Sequence, residues 1–479
     1  MKKLLLSTMA AASLMANDAE LQSLKNQMEQ MSQMMKSMQN KIDTIENSKP
    51  QSVKAPEATS VMTESTTTAL MPALIKDFMP TSGIANNSNL ALSLIVDTSF
   101  VVRSKKDEEL AHMGLPDVAH SLIGSHDHDG HNHATYDAQN GFNLNYAELG
   151  FTGTVDPYLD ASVFLHFYDG GVEVEEAYFT SRNLPYNLRL RGGKFFSDFG
   201  RQNNQHHHAW QFSDMPLVYE AFLGNHGIQE IGAQLQWIAP TSNYLMFGLE
   251  ALQGKNEMMF GHEAIANPNV ADENLAGSAS QPSLFVGYVK TAADIGDTTI
   301  LAGASIADGK TRINDHIDEI GGDATVAKST IYGLDLTIKH FFDSYSSLTW
   351  QSEWLYRDMK GTEFVNDGAA IGSEGLVKKQ AGYYTQLVYA PDQSWRMGLK
   401  YDNIYKNDVY ADGADQNKPR NMDQYTAMVE YHSSEFARYR LQYSHSNALF
   451  NEAGDQRQNL DSLIFSVNIA LGRHNAHPF

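Results

Sequence analysis

Leu463-Ile464-Phe465-Ser466-Val467-Asn468-Ile469-Ala470-Leu471 decides the fold. Bulky residues at 463, 465, 467, 469 and 471 alternate with Ile464, Ser466, Asn468 and Ala470, the period of a strand with two different faces. Just upstream, Tyr439, Leu441 and Tyr443 face one way, and Arg438, Arg440, Gln442 and Ser444 the other. Further upstream, Trp395, Met397, Leu399 and Tyr401 alternate with Arg396, Gly398, Lys400 and Asp402. A soluble sandwich alternates too, but its strands run about 5–6 residues. These segments run roughly 10–14 residues, the length of tilted strands that cross a bilayer.

The same pattern extends back to Leu90. Strands are expected near 90–103, 142–156, 158–168, 171–182, 186–196, 228–238, 242–254 and 282–292. The second half is 297–307, 330–341, 344–357, 380–391, 394–406, 423–433, 436–448 and 460–471. Aromatic residues gather near segment ends (Tyr158, Tyr168, Trp237, Tyr244, Phe341, Phe342, Trp354, Tyr389, Trp395), as girdles at the two membrane interfaces do. Connections alternate in length. Short turns carry Asp156-Pro157, Asn183-Leu184-Pro185, Ala239-Pro240, Pro391-Asp392 and Ser434-Glu435. Long polar loops occupy 104–141, 197–227, 255–281, 308–329, 358–379, 407–422 and 449–459, with Asp169-Gly170 the one tight turn on their side. The expectation is all-β: a transmembrane antiparallel β-barrel of about 16 strands over 90–479, with short turns in the periplasm.

Working outward to the N-terminus, Lys2 and Lys3 precede the apolar run Leu4 to Ala12, a secretory signal peptide. Cleavage after Ala12 or Ala16 fits, and the reading adopted is 1–16. Leu21, Leu24, Met28, Met31, Met35, Met38, Ile42 and Ile45 then recur at alternating spacings of three and four. That heptad pattern predicts a helical coiled coil over 17–47, placed in the periplasm. A lone helix lying on a membrane is the competing reading, but the intervening face is rich in Gln and Asn and weakly cationic. Residues 48–89, punctuated by Pro50, Pro56, Pro72 and Pro80, read as a linker.

Composition narrows the function. The 479 residues carry 35 Lys+Arg against 57 Asp+Glu, a formal charge of −22, and no cysteine. Cysteine-ligated metal sites and disulfides are excluded, and the acidic excess argues against nucleic acid. No Gly-x-Ser-x-Gly motif occurs and the inward residues offer no Ser/His/Asp set, so an enzyme is not expected.

The strand count, a terminal Phe479 and the long segment 197–227 between the fifth and sixth strands resemble the trimeric outer-membrane porins. That resemblance implies a homotrimer in the outer membrane of a Gram-negative-type cell, in contact with lipid bilayer and lipopolysaccharide. It also implies that 197–227 folds inward and narrows the pore. The run Gly192 to Arg201, then His206-His207-His208-Ala209-Trp210 and the tail His474-Asn475-Ala476-His477-Pro478-Phe479, is similar to His-rich proteins labelled zinc-regulated TonB-dependent outer-membrane receptors. A coiled coil ahead of a barrel resembles phosphate-selective porins. A TonB-dependent barrel is plugged by a separate globular domain. Residues 17–89 hold too few apolar residues for that plug, so an open pore is expected.

Of 18 histidines, six fall in 104–141 and four in 197–227. His126, Asp127, His128, His131 and His133 put imidazoles and carboxylate within eight residues, a donor set for Zn²⁺ and equally for Cu²⁺ or Ni²⁺. Consecutive His206, His207 and His208 cannot all face one ion. Two of them with Asp198, Asp214, Glu220 or His226 make the expected set. Asp198, Arg201, Asp214 and Glu220 are the expected constriction, facing a basic lumen wall of Arg189, Arg191, Arg396, Lys400, Arg438 and Arg440, with Asp160, Glu173, Glu175, Glu353, Asp402 and Glu430 also inward. The predicted function is passive diffusion of small solutes and ions, with His-rich loops concentrating divalent metal and no cofactor required. An anion or phosphate-type porin, a TonB-dependent receptor, and an envelope tether with cell-wall contact through the coiled coil are the alternatives.

Overall fold

The computed structural model describes residues 90–119, 139–168, 171–256, 258–451 and 454–472. The expected signal peptide, coiled coil and linker lie outside these residues. So do His126 to His133, His474, His477 and Phe479.

Sixteen strands close into one antiparallel barrel. They are β1 (Ala91–Arg103), β2 (Gly141–Thr154), β3 (Leu159–Tyr168), β4 (Gly171–Ser181), β5 (Leu188–Phe196), β6 (Gln229–Ile238), β7 (Tyr244–Leu252) and β8 (Leu284–Ile295). The circuit continues with β9 (Thr298–Asp315), β10 (Asp323–Phe341), β11 (Ser347–Asn366), β12 (Ile371–Ala390), β13 (Trp395–Ala411), β14 (Met422–Ser434), β15 (Ala437–Ser446) and β16 (Leu460–Gly472). Each strand pairs with the next, and β16 returns to β1 from Ser93–Gly472 to Arg103–Ser462. Closure leaves no strand edge unpaired, the condition a sheet must meet in hydrocarbon.

The two faces divide as the alternation requires. On β16, Leu463, Phe465, Ile469 and Leu471 are exposed on the outside while Ser462 and Ser466 are buried within. Exposed and half-buried aromatics form two rings. Trp237, Phe247, Phe342, Tyr389, Trp395 and Tyr431 pack pairwise near the short-turn end. Tyr332, Trp354, Tyr356, Tyr401 and Tyr405 contact one another or Tyr383 higher up. From Phe341 to Tyr332 on β10, and from Trp395 to Tyr405 on β13, the chain covers the ~9–11 residues a tilted strand needs to cross a bilayer.

The stretches 308–329 and 358–379 are mostly strand, with connections only at 316–322 and 367–370. β9 and β10 stay in register from Thr298–His340 to Asp315–Asp323, and β11 and β12 from Ser347–Ala390 to Asn366–Ile371. Beyond the upper aromatic ring the outward positions turn polar, with Asp308, Lys310, Arg312, Asp358, Lys360 and Thr362, so the ladder continues without the apolar alternation used to find strands in the sequence.

Nor is the lumen an open tube. Between β5 and β6 the chain turns inward and carries a short helix, Leu217–Leu223, whose Leu217, Val218, Tyr219, Ala221, Phe222 and Leu223 are all buried. These join Leu110, Leu115, Phe199, Phe260, Leu284, Ile331 and Leu355 in an apolar core inside the half of the barrel that carries the long loops. Such a core is far more apolar than water-filled walls require.

Candidate functional site

The inward segment is held by carboxylates projecting from the wall. Glu353 on β11 accepts the backbone N–H groups of Arg201 and Gln202, each at 2.8 Å, and the Tyr219 and Tyr384 hydroxyls at 2.6 and 2.5 Å. Glu250 accepts from Asp198 N–H at 3.0 Å, and Asp402 from Leu217 N–H at 2.9 Å, at the start of the helix. A segment without regular structure has unpaired amides, and each buried one must find an acceptor. Gly200 has φ +63°, and a β-carbon there would run into the Tyr219 hydroxyl and Glu353. Only glycine lets the chain pass beneath that pair.

The basic wall acts on the same segment. Arg440 donates to Glu430 at 2.7 Å and to the Trp210 carbonyl at 2.7 Å, while Arg438 donates to the His208 carbonyl at 2.9 Å. Arg396 donates to Glu430 at 3.0 Å, and Lys400 to Asp214 at 3.1 Å. Asp214 also accepts from Gln424 and Gln442. Lys400, Arg438 and Arg440 thus brace the fold-in, while Arg396 pairs with Glu430 and His432 on the neighbouring strand. Expected constriction residues divide accordingly: Asp198 and Arg201 line one cavity, whereas Asp214 and Glu220 are outside its lining.

That cavity has a volume of about 750 Å³ and lies beside the inward segment. Arg189, Arg191, Arg201 and Lys290 contribute cations to its wall, and Glu148, Glu176, Asp198 and Asp335 contribute carboxylates. The charges are interleaved. Asp198 accepts from Asn204 at 2.7 Å, Gln236 at 2.6 Å and Gln234 at 3.0 Å. Wall and fold-in each contribute both signs, so the cavity is not a constriction set against a purely basic wall.

The His triplet divides as its spacing demands, but its partners are not the expected ones. Asp198, Asp214, Glu220 and His226 are absent from the donor groups that converge among the described residues. His206 Nδ1 instead lies 3.1 Å from Glu148 Oε2 and 3.3 Å from Glu175 Oε2, and its Nε2 lies 2.8 Å from Glu176 Oε2. His208 Nδ1 is 3.5 Å from Glu148 Oε2. His166 Nε2 stands 2.8 Å from Glu175 Oε2 and 3.3 Å from Glu148 Oε2. Burial alone would depress the His206 pKa, but Glu175, Glu148 and Glu176 hold it well above 6.5. His207 packs edge-on against Trp210 and Tyr146 at 4.7 and 5.6 Å, where burial pushes its pKa down to about 4.

Two local features assemble the cluster. Glu148 and His166 are direct cross-strand partners in the β2–β3 register. A bulge in β4, where Phe164 pairs Glu176 and Leu165 pairs Val174, turns Glu175 and Glu176 inward together. A bulge places two consecutive side chains on one face, which strict alternation forbids. The Glu148–His166 pair was readable by counting back from the Asp156-Pro157 turn; the bulge left no such mark.

No family model matches this chain. It is 42% identical over 388 residues, covering 81% of its length, to a protein of Aquifex aeolicus (strain VF5) described as uncharacterized, 79% of which is covered. The chain belongs to the family of that Aquifex protein. Among solved structures it is similar to OprB of Pseudomonas putida (9% identity, 80% of this chain and 94% of that one, TM-score 0.49). An anion-selective porin of Comamonas acidovorans aligns at 12% identity over 80% of this chain and all of that one, TM-score 0.47. OmpT of Vibrio cholerae aligns at 10% identity over 81% of this chain and all of that one, TM-score 0.46. Likeness at this level carries no argument beyond itself; the sixteen-strand circuit stands on its own pairings.

Proposed function

We propose that this protein is an outer-membrane channel for passive diffusion of small solutes and ions, of the porin kind. One observation carries the reading: a closed barrel with an apolar exterior between two aromatic rings encloses a cavity of about 750 Å³ walled by interleaved charges. Four cations and four carboxylates line that cavity, so selectivity between ions is weak, and the overall charge of −22 tips it toward cations. The Arg-rich wall behind the anion-channel alternative loses force, because Arg396, Arg438 and Arg440 are engaged with Glu430 or with backbone carbonyls.

A homotrimer in contact with lipopolysaccharide belongs to the same proposal, with the heptads of 17–47 as its support in the sequence. So does metal capture by His126, His128, His131 and His133, which rests on donor density alone. Purified protein in planar bilayers under a KCl gradient tests the reading. Discrete conductance steps with a reversal potential slightly on the cation side are expected. Silence from protein that migrates as a folded, heat-modifiable barrel would end the channel reading.

A further inference from the structure

Glu175 is 2% exposed, its Oε1 has no hydrogen-bond partner among the described residues, and its Oε2 faces His166 Nε2 and His206 Nδ1. A buried carboxylate in that condition is costly unless a cation faces it. Around it Glu148 Oε2, His166 Nε2, Glu175 Oε2 and His206 Nδ1 form a ring with successive separations of 3.3, 2.8, 3.3 and 3.1 Å. His208 Nδ1 stands 3.5 Å from the Glu148 corner. Neighbouring corners of a tetrahedral shell about zinc are roughly 3.4 Å apart, given ligand bonds of about 2.0–2.2 Å. All four edges lie somewhat below that spacing, so the ring must open slightly to take an ion.

We propose that this ring is a binding site for one divalent transition-metal ion of zinc's preferences, which ties the inward segment to β2, β3 and β4. Two carboxylates and two neutral imidazoles balance a double positive charge without further counter-ions. Glu176 supplies the outer support: its Oε2 sits 2.8 Å from His206 Nε2, so that nitrogen holds its proton and leaves Nδ1 for the ion. Three of the ligands come from the wall and one from the fold-in, so the ion joins parts of the chain that no backbone ladder connects. Glu148, His206, His208 and Glu176 also line the cavity, which gives an ion in the lumen a way in. The proposal rests on the closed barrel and not on conduction.

The test uses the full chain in detergent with His126, His128, His131 and His133 replaced by Ser, so that the outer histidines contribute nothing. After stripping with EDTA, zinc is titrated calorimetrically and counted by elemental analysis. One zinc per chain is expected. H206N and E148Q should each weaken binding at least tenfold, and E176Q by about 10–100-fold as a supporting carboxylate does. H316N, at an exposed position, should change nothing. Substoichiometric zinc in the Ser background overturns the site, and so does an unchanged zinc affinity in an H206N that still migrates as a folded barrel. Should the cluster variants fail to fold, X-ray absorption of the zinc-loaded Ser background decides: mixed nitrogen and carboxylate-oxygen scattering supports the ring, and a water-only shell overturns it. A chain that binds zinc yet passes no current would lose the channel reading and keep this one.

Discussion

Glu430 shows how much single side chains decide inside this lumen. It is 2% exposed on β14, and Arg396, Arg440 and His432 all reach it within hydrogen-bond distance. Arg440, equally buried, holds the Trp210 carbonyl with its other arm. Removing the carboxylate leaves a desolvated guanidinium unpaired, a loss of about 3–5 kcal/mol. E430Q is expected to lower the denaturant midpoint of the detergent-solubilised barrel by a corresponding amount. A midpoint within error of the parent would mean that the cations find water instead. Both Arg438 and Arg440 were legible as inward residues from alternation alone; that they grip main-chain carbonyls was not, since a sequence does not say what a loop brings back to the wall.

At the scale of the element, the segment between β5 and β6 is fastened through few acceptors. Glu353 alone takes four donors, two of them backbone amides. E353A strands those donors, at about 1–3 kcal/mol for each left buried and unpaired. The expected result is a segment that proteases cut between 197 and 228 and a rise in single-channel conductance, read in the same bilayer assay. Unchanged cleavage and conductance would show the apolar helix Leu217–Leu223 to be sufficient by itself. The inward course of this segment was expected from its position between the fifth and sixth strands. Its partners were not, because the β4 bulge that presents Glu175 and Glu176 together breaks the alternation used to assign faces. The hairpins β9–β10 and β11–β12 were underestimated for a related reason: beyond the upper aromatic ring the strands carry Lys, Thr and Glu in place of Leu and Trp, so the ladder continues without an apolar alternation to mark it.

For the whole molecule, the claim most open to measurement is the division of faces. Leu399 is 64% exposed on β13 between Trp395 and Tyr405, while its neighbour Lys400 is 3% exposed and paired with Asp214 inside. An arginine at Leu399 would face hydrocarbon and cost about 2–4 kcal/mol at mid-depth. L399R should reduce folding into liposomes, measured as the heat-modifiable fraction. Folding at the parent yield would place this face in water and end the membrane reading. The long strands β9 to β13 give the cylinder a tall side, whereas β3 and β4 are joined by only residues 169 and 170. A rim so lopsided works like a pitcher with its lip cut down on one side. His166 and Glu175 stand only a few residues below that lip.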